Sequence, residues 1–195
     1  IYDFQTQVIN FKDYGAHSSR SRCLVIGVRK DIPINIDELW PSKENSKTMR
    51  DLIFSLPRLK IMGESHKSDI YHNFKSYKPH MRDWIRDLKP GENAFDNLDP
   101  LKRPHQIKNG IVIPNVNKNG DKYSRQIWDK TPPCIHTRND ILASQNTVHP
   151  EDDRVFSLRE LMIFMNVPES FKWTKHTISE LNELNEIEKK AYLKK

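Results

Sequence analysis

The sequence predicts an α+β fold with much irregular structure, and three observations support this class. Residues 1–30 contain short β-branched stretches typical of strands, and residues 157–165 follow a helical pattern with a capping signal. Between them, residues 92–130 are rich in Asn, Gly, Pro and Lys, a composition typical of loops. A loop-rich middle between two better ordered segments indicates a module inserted into a larger protein.

The first segment is predicted to form two strands around a polar turn. Residues 1–10 show mixed alternation, and Cys23–Val28 is a short apolar run, as expected of a buried strand. Asp13–Ser19, between the two, is turn-like. Residues 31–45 contain two prolines and are predicted to be a linker.

Two short helices are predicted next. Thr48–Leu56 fits an amphipathic helix that Pro57 ends. Residues 60–78 are polar and are expected to be irregular. The apolar residues of 81–88 have helical spacing, and Lys89–Gly91 ends that helix.

The last third mixes turns with two further helices. Ile111–Ile113 predicts a short strand, Asn119–Asp121 a turn, and residues 133–149 an extended polar stretch. Ser157–Met165 predicts a capped helix. Ile178–Leu193 predicts one final helix, whose apolar stripe would pack against a neighbour.

The composition favours a cytoplasmic protein without a metal or a membrane segment. Cys23 and Cys134 lie far apart, without metal-ligand spacing, which suits a reducing compartment. No apolar run approaches the roughly 18 residues of a membrane span. The chain shows no leader, and its start at Ile1 suggests a trimmed N-terminus.

The chain is basic, with a formal net charge of +6 and a pI near 9.2. The surplus lies between Arg58 and Lys130, where 15 Lys and Arg stand against 9 Asp and Glu. Such a balance suits a polyanion such as DNA, although many small proteins are basic for no specific reason. Charge alone therefore leaves both interpretations open.

Two groups of charged residues stand out. Arg20 and Arg22 lie one residue apart beside the second strand, and paired guanidiniums suit phosphate or a base carbonyl. A plain surface pair at a strand edge is the alternative. Arg159 and Glu160 lie in the first turn of the capped helix, and ion pairs of Arg154 and Arg159 would hold a domain junction.

Hydrogen-bond donors suited to phosphates and base edges are dense in residues 136–147. The alternative is a polar loop that caps its own backbone. The candidate contact residues are Thr137, Arg138, Asn139, Ser144, Gln145 and Asn146, with Tyr123, Arg125 and Gln126 as weaker candidates.

Two segments carry a family resemblance. Residues 10–22 resemble the eighth conserved motif of the DNA (cytosine-5)-methyltransferases, N-x-x-x-Y-G-V-P-Q-x-R-x-R, which a strand ending in G-x-R follows. Residues 150–171 resemble their ninth motif, R-x-L-T-x-R-E, which a short helix and F-P-x-x-F follow. The order and the long variable stretch between them also match. Ser18 replaces the Gln of the family pattern, and Ala16 and His17 replace its Val-Pro.

The resemblance implies a division of the chain. Residues 1–30 would end a catalytic domain, 31–149 would form the target recognition domain, and 150–195 would hold the ninth motif and a C-terminal helix. The family pattern implies catalytic-site roles for Arg20 and Arg22, with Arg22 near the O2 carbonyl of a flipped cytosine. It also favours double-stranded DNA as the partner of the polar segments.

The implied activity is methyl transfer from S-adenosylmethionine to C5 of cytosine in a specific DNA sequence, within a type II restriction-modification system. The family's glycine-rich cofactor loop and Pro-Cys nucleophile do not precede residue 10. The Pro-Pro-Cys triplet at 132–134 imitates the nucleophile motif but follows the eighth motif, which argues against that role.

The chain is therefore expected to be the C-terminal, DNA-recognition part of such an enzyme. It would bind little or no cofactor and would be inactive without the N-terminal catalytic region. A subunit of a split methyltransferase and a stand-alone DNA-binding module remain the alternatives.

Overall fold

A computed structural model describes residues 1–116 and 121–193. Within them the strands form three separate two-stranded antiparallel sheets, and the helices are short. The strands are β1 (Tyr2–Asn10), β2 (Ser21–Arg29), β3 (Ser65–His66), β4 (Asp69–Asn73), β5 (His105–Lys108) and β6 (Ile111–Pro114). The α-helices are α1 (Met49–Ile53), α2 (His80–Asp83), α3 (Leu158–Phe164), α4 (Ile178–Glu183) and α5 (Glu186–Tyr192). Single 3-10 turns cover Phe11–Tyr14, Ile36–Leu39, Ala94–Asp96 and Pro100–Lys102.

The first hairpin confirms the two strands predicted for the N-terminus. β1 and β2 pair from Tyr2 with Arg29 to Asn10 with Ser21. The prediction that the second strand is buried was wrong, because most apolar side chains of this ribbon face solvent and Val25 is 60% exposed. A two-stranded ribbon has two faces, and the described residues leave much of both uncovered.

Two capped helices form one of the apolar clusters. Thr48 and Asp51 form a capping box at the start of α1, which confirms the predicted helix but ends it at Ile53. Ser157 and Glu160 form the predicted capping box of α3. The buried side chains that join the two helices are Met49, Ile53, Phe156 and Phe164.

Residues 60–78 are more ordered than the sequence predicts. They contain the β3–β4 hairpin, in which Ile70 and Tyr71 pack against Met162 of α3 and Leu181 of α4. This order depends on long-range packing, so the local pattern does not show it. The single final helix predicted for 178–193 is two helices instead, because the Asn185 side chain accepts hydrogen bonds from the backbone and starts α5.

The largest cluster lies under the loop-rich middle. Trp84, Ile85 and Leu88 are buried in it together with Leu142 and Val148. The helix predicted over 81–88 is only the short α2, and the apolar residues after it follow in turns.

Two further predictions concern strand and loop structure. The predicted strand Ile111–Ile113 is confirmed as β6. Residues 133–149 are not extended throughout but turn repeatedly between 137 and 146. Asn119 and Gly120 of the predicted turn lie outside the described residues.

No helix in the described part of the chain is long and apolar enough to cross a membrane. Among the same residues, His, Cys, Asp and Glu side chains form no group of three or more that could hold a metal ion.

Candidate nucleic-acid interface

An open groove brings together four of the residues predicted to contact DNA. One wall comes from the bridge between Lys122 and Gln145, and the other from the turn after residue 135. The side chains that line it are Lys122, His136, Thr137, Arg138, Ala143, Ser144 and Gln145. His136 begins the segment predicted to contact DNA, whereas Lys122 was not predicted, because it has no local pattern that marks a contact residue. The groove thus presents two fixed cations, an imidazole and several neutral donors and acceptors.

Backbone turns hold this groove in shape. The amide of Ile141 donates to the carbonyl of Arg138, and the amide of Ser144 donates to the carbonyl of Ile141. The buried Asn139 accepts a hydrogen bond from the amide of His136 at 2.8 Å. DNA contact was predicted for Asn139, and its burial corrects this, since the side chain caps the turn that presents Arg138.

Gln126 and Asn146 lie beside the groove rather than along it. The Gln126 amide donates to the carbonyl of Ser124 and to Oδ1 of Asn146, at 3.1 and 3.3 Å. Asn146 has a φ of 55°, a left-handed conformation that Asn tolerates better than most residues. Both side chains are half-buried, and they are hydrogen-bonded to each other.

Arg125 occupies the core instead of the surface. Its guanidinium donates to the carbonyls of Ile85, His149 and Asp152 and to the carboxylate of Asp153, at 2.6–3.1 Å. The side chain is 3% exposed, so its guanidinium lies out of reach of a base edge. The predicted DNA contact of Arg125 is therefore corrected to a structural role. Tyr123 is likewise buried in the apolar cluster.

Arg20 and Arg22 are both exposed at the start of β2. The Arg20 guanidinium lies 3.5 Å from the sulfur of Cys134, and Arg22 donates to the carbonyl of Ser21. The amide of Ser19 also donates to the carbonyl of Pro132 at 2.8 Å. The first hairpin therefore docks onto the segment that leads into the groove.

The turn before β2 also docks onto the end of α3. His17 donates its backbone amide to Asn166, at 2.7 Å, and the Asn166 amide group donates to the carbonyl of Gly15. Asn166 adopts a φ of 57° after the helix end. The sequence pattern did not identify this contact, although Asn shortly after a helix is a usual signal for a left-handed end.

A buried ion pair joins Arg154 to Glu160, which lies in the first turn of α3. Arg154 donates to both carboxylate oxygens of Glu160 at 2.8 Å, and its guanidinium also contacts Asp152. Arg58 reaches the other side of Asp152. The predicted ion pairs are confirmed, and Arg159 forms the second one with Asp69 at 2.6 Å.

His149 is a buried member of this network that the sequence did not single out. The amides of Glu151 and Asp152 donate to Nδ1 of His149, so that nitrogen carries no proton. Burial lowers the pKa of His149 to about 4, although the Glu160 carboxylate at 3.7 Å opposes this. Burial alone would raise the pKa of Glu160, but Arg154 lowers it to about 2.

These two pKa values predict a loss of stability in acid. Between pH 6.5 and about 4 the unfolded chain protonates His149 and the folded chain does not. The free energy of unfolding should therefore fall by up to about 3 kcal/mol as pH drops through this window. Glu160 continues the loss as pH falls from its ordinary 4.5 toward about 2. Urea unfolding at a series of pH values measures both steps.

The variant His149→Gln is expected to flatten the upper part of this pH profile, even though it also lowers stability at neutral pH. His176→Gln is the matched control, because His176 is exposed beside Glu180. An unchanged slope between pH 6.5 and 4 in His149→Gln would show that another group titrates there.

Comparison with known proteins identifies the class. The family model of the C-5 cytosine-specific DNA methylases matches residues 1–183, and the chain belongs to this family. It is 27% identical to Type II methyltransferase M1.HgaI of Avibacterium volantium over 180 residues, which cover 88% of this chain and 47% of that protein. It is 27% identical to Type II methylase M.HgiDII of Herpetosiphon aurantiacus over 173 residues, with the same coverage of 88% and 47%. The chain thus spans about half the length of these curated relatives.

Proposed function

We propose that this chain is the DNA-recognition part of a type II restriction-modification DNA (cytosine-5)-methyltransferase of the bacterial cytoplasm. The whole enzyme would transfer a methyl group from S-adenosylmethionine to C5 of a cytosine flipped out of a specific DNA sequence. Family membership and the names of the relatives support the enzyme class.

The groove lined by Thr137, Arg138, Ser144 and Gln145 carries the recognition part of the proposal. Arg forms bidentate hydrogen bonds with guanine, and Gln does so with adenine, in the major groove of DNA. Lys122 adds positive charge for the phosphate backbone. The turns that Asn139 caps fix these side chains, which favours specific contacts over a loose electrostatic surface.

The first hairpin would supply a wall of the cytosine pocket. Arg22 holds the position that faces the base in the family motif, and its guanidinium is exposed. Contacts of His17 with Asn166 and of Ser19 with Pro132 would hold that wall against the recognition region. The buried Arg154–Glu160 pair would set the position of α3 in the same junction.

The described residues do not fit S-adenosylmethionine. In the family a glycine-rich loop holds this cofactor, whereas the glycines described in this structure each stand alone, at Gly15, Gly27, Gly63, Gly91 and Gly110. We therefore propose that cofactor, nucleophile and methyl transfer belong to the N-terminal catalytic region of the enzyme. Incubation of the chain with DNA and labelled cofactor should give no product.

Removal of Arg138 is expected to weaken DNA binding. Arg138→Ala should raise the Kd for the preferred duplex about tenfold and reduce discrimination at one base position, because a bidentate contact is lost. Fluorescence anisotropy with labelled duplexes, repeated across salt concentrations, measures both effects.

Lys190→Ala is the matched control, since it removes the same charge from an exposed position of α5. If both variants weaken DNA binding equally, Arg138 contributes only its positive charge and no base-specific contact. If the chain itself binds no duplex at low salt, the DNA-recognition function is wrong.

A further inference from the structure

The β5–β6 hairpin stands out from the rest of the loop-rich middle. Its strands are joined by Asn109 and Gly110, whose φ values of 50° and 77° make a tight turn with the twist that hairpins favour. The apolar side chains of β6 remain exposed, with Ile111 at 66% and Ile113 at 43%. Three consecutive exposed apolar side chains lower the solubility of a protein. Such a surface is typical of a binding site.

The two faces of the hairpin differ in character. On one face His105 packs edge-on against the buried Trp84 at 5.2 Å, while Ile107 and Val112 of that face are 48% and 43% exposed. Gln106 pairs with Ile113, and Lys108 pairs with Ile111, so these four side chains share the opposite face. That outer face thus combines two hydrogen-bonding side chains on one strand with two aliphatic ones on the other.

The chemistry of this outer face matches base edges. Gln is the usual partner of adenine and Lys of guanine, while aliphatic groups contact the methyl group of thymine. Residues 101–116 contain three basic side chains and no acidic one. Lys102 pairs with Asp87, and the hairpin still keeps a positive charge that suits a polyanion better than an apolar protein surface.

The dimensions of the hairpin also fit the major groove of DNA. Four residues of strand span about 13 Å, and the strands lie about 4.8 Å apart. The major groove of DNA is about 12 Å wide and about 8.5 Å deep and admits a two-stranded ribbon. Gln106 and Lys108 are about 7 Å apart along the strand, which is close to two base-pair steps.

We propose that the β5–β6 hairpin is a second base-reading element, which enters the major groove and uses Gln106 and Lys108 to determine sequence specificity. This proposal rests on the proposed function, because it assumes that the chain binds specific DNA. It places specificity on two separate surfaces, the hairpin and the groove around Arg138.

Selection from a pool of random duplexes tests the proposal. The wild-type chain is incubated with the pool, bound duplexes are recovered and sequenced, and the enriched motif is compared with that of each variant. Gln106→Ala and Lys108→Gln should each reduce the base preference at one motif position about tenfold, and these positions should differ from the one that Arg138→Ala alters. Val112→Thr, on the opposite face of the same hairpin, should leave the motif unchanged.

The other outcomes overturn the proposal in distinguishable ways. One such outcome is that Arg138→Ala is the one variant that changes the wild-type motif, with the hairpin variants leaving it intact. That result would refute base reading by the hairpin and would agree with the proposed function. Uniform weakening of all duplexes by Lys108→Gln would reduce this residue to a phosphate contact. A concentration-dependent dimer that Ile111→Thr abolishes, with an unchanged motif, would assign the hairpin to a second copy of the chain. Absence of any wild-type motif would refute both proposals.

Discussion

Glu160→Gln is expected to destabilise the protein by about 3–5 kcal/mol, because it leaves the charge of a buried Arg154 without its main partner. Glu160 is 1% exposed and accepts two guanidinium hydrogen bonds of Arg154, one on each carboxylate oxygen. Asp152 remains close to Arg154, but Arg58 already engages that carboxylate. Equilibrium unfolding in urea at pH 7 measures the loss.

The chain offers a matched control for this substitution. Glu180 closes the same kind of capping box at the start of α4, but it is exposed and has no buried partner. Glu180→Gln should therefore cause a much smaller loss. The double variant Arg154→Met/Glu160→Gln should lose less than the sum of the two single variants, since it leaves no unpaired arginine. Full additivity would contradict the ion pair.

Arg125→Met is expected to lower the free energy of unfolding by roughly 4 kcal/mol, since buried acceptors that lose a charged donor cost about 1–3 kcal/mol each. The acceptors concerned are the carbonyls of Ile85, His149 and Asp152 and the carboxylate of Asp153. Thermal or urea unfolding, followed by tryptophan fluorescence, measures this change.

Arg86→Met removes the same charge from an exposed side chain and should change stability little. DNA binding separates the two roles that Arg125 could have. At a temperature where Arg125→Met is folded, its affinity for DNA should equal that of Arg86→Met. A selective loss of affinity together with unchanged stability would restore Arg125 as a contact residue.

Local signals predicted the parts of the structure that depend on neighbours in sequence. Ser157 and Glu160 are three residues apart, and their capping box needs only the first turn of α3. The same holds for β6, which pairs with β5 across a two-residue turn. In each case the hydrogen bonds that define the feature join residues within a few positions of one another.

Burial of polar side chains was not predictable in the same way. Arg125 donates to a carbonyl 40 positions away, and Asn139 is only 3% exposed although it lies in a polar loop segment. Arg and Asn side chains are equally suited to contact DNA and to hydrogen-bond buried backbone groups. The sequence alone therefore does not distinguish these two roles. The order of β4 is a similar case, because Ile70 is buried only once α3 and α4 pack onto it.

The exposed ribbon of β1 and β2 bears on how this chain behaves during synthesis and purification. Neither outer edge has a strand partner among the described residues, and Phe4 and Val8 face solvent. Unpaired edges with apolar side chains are templates for intermolecular strand addition. Expressed alone, the chain would therefore be a substrate for chaperones and would aggregate as its concentration rises.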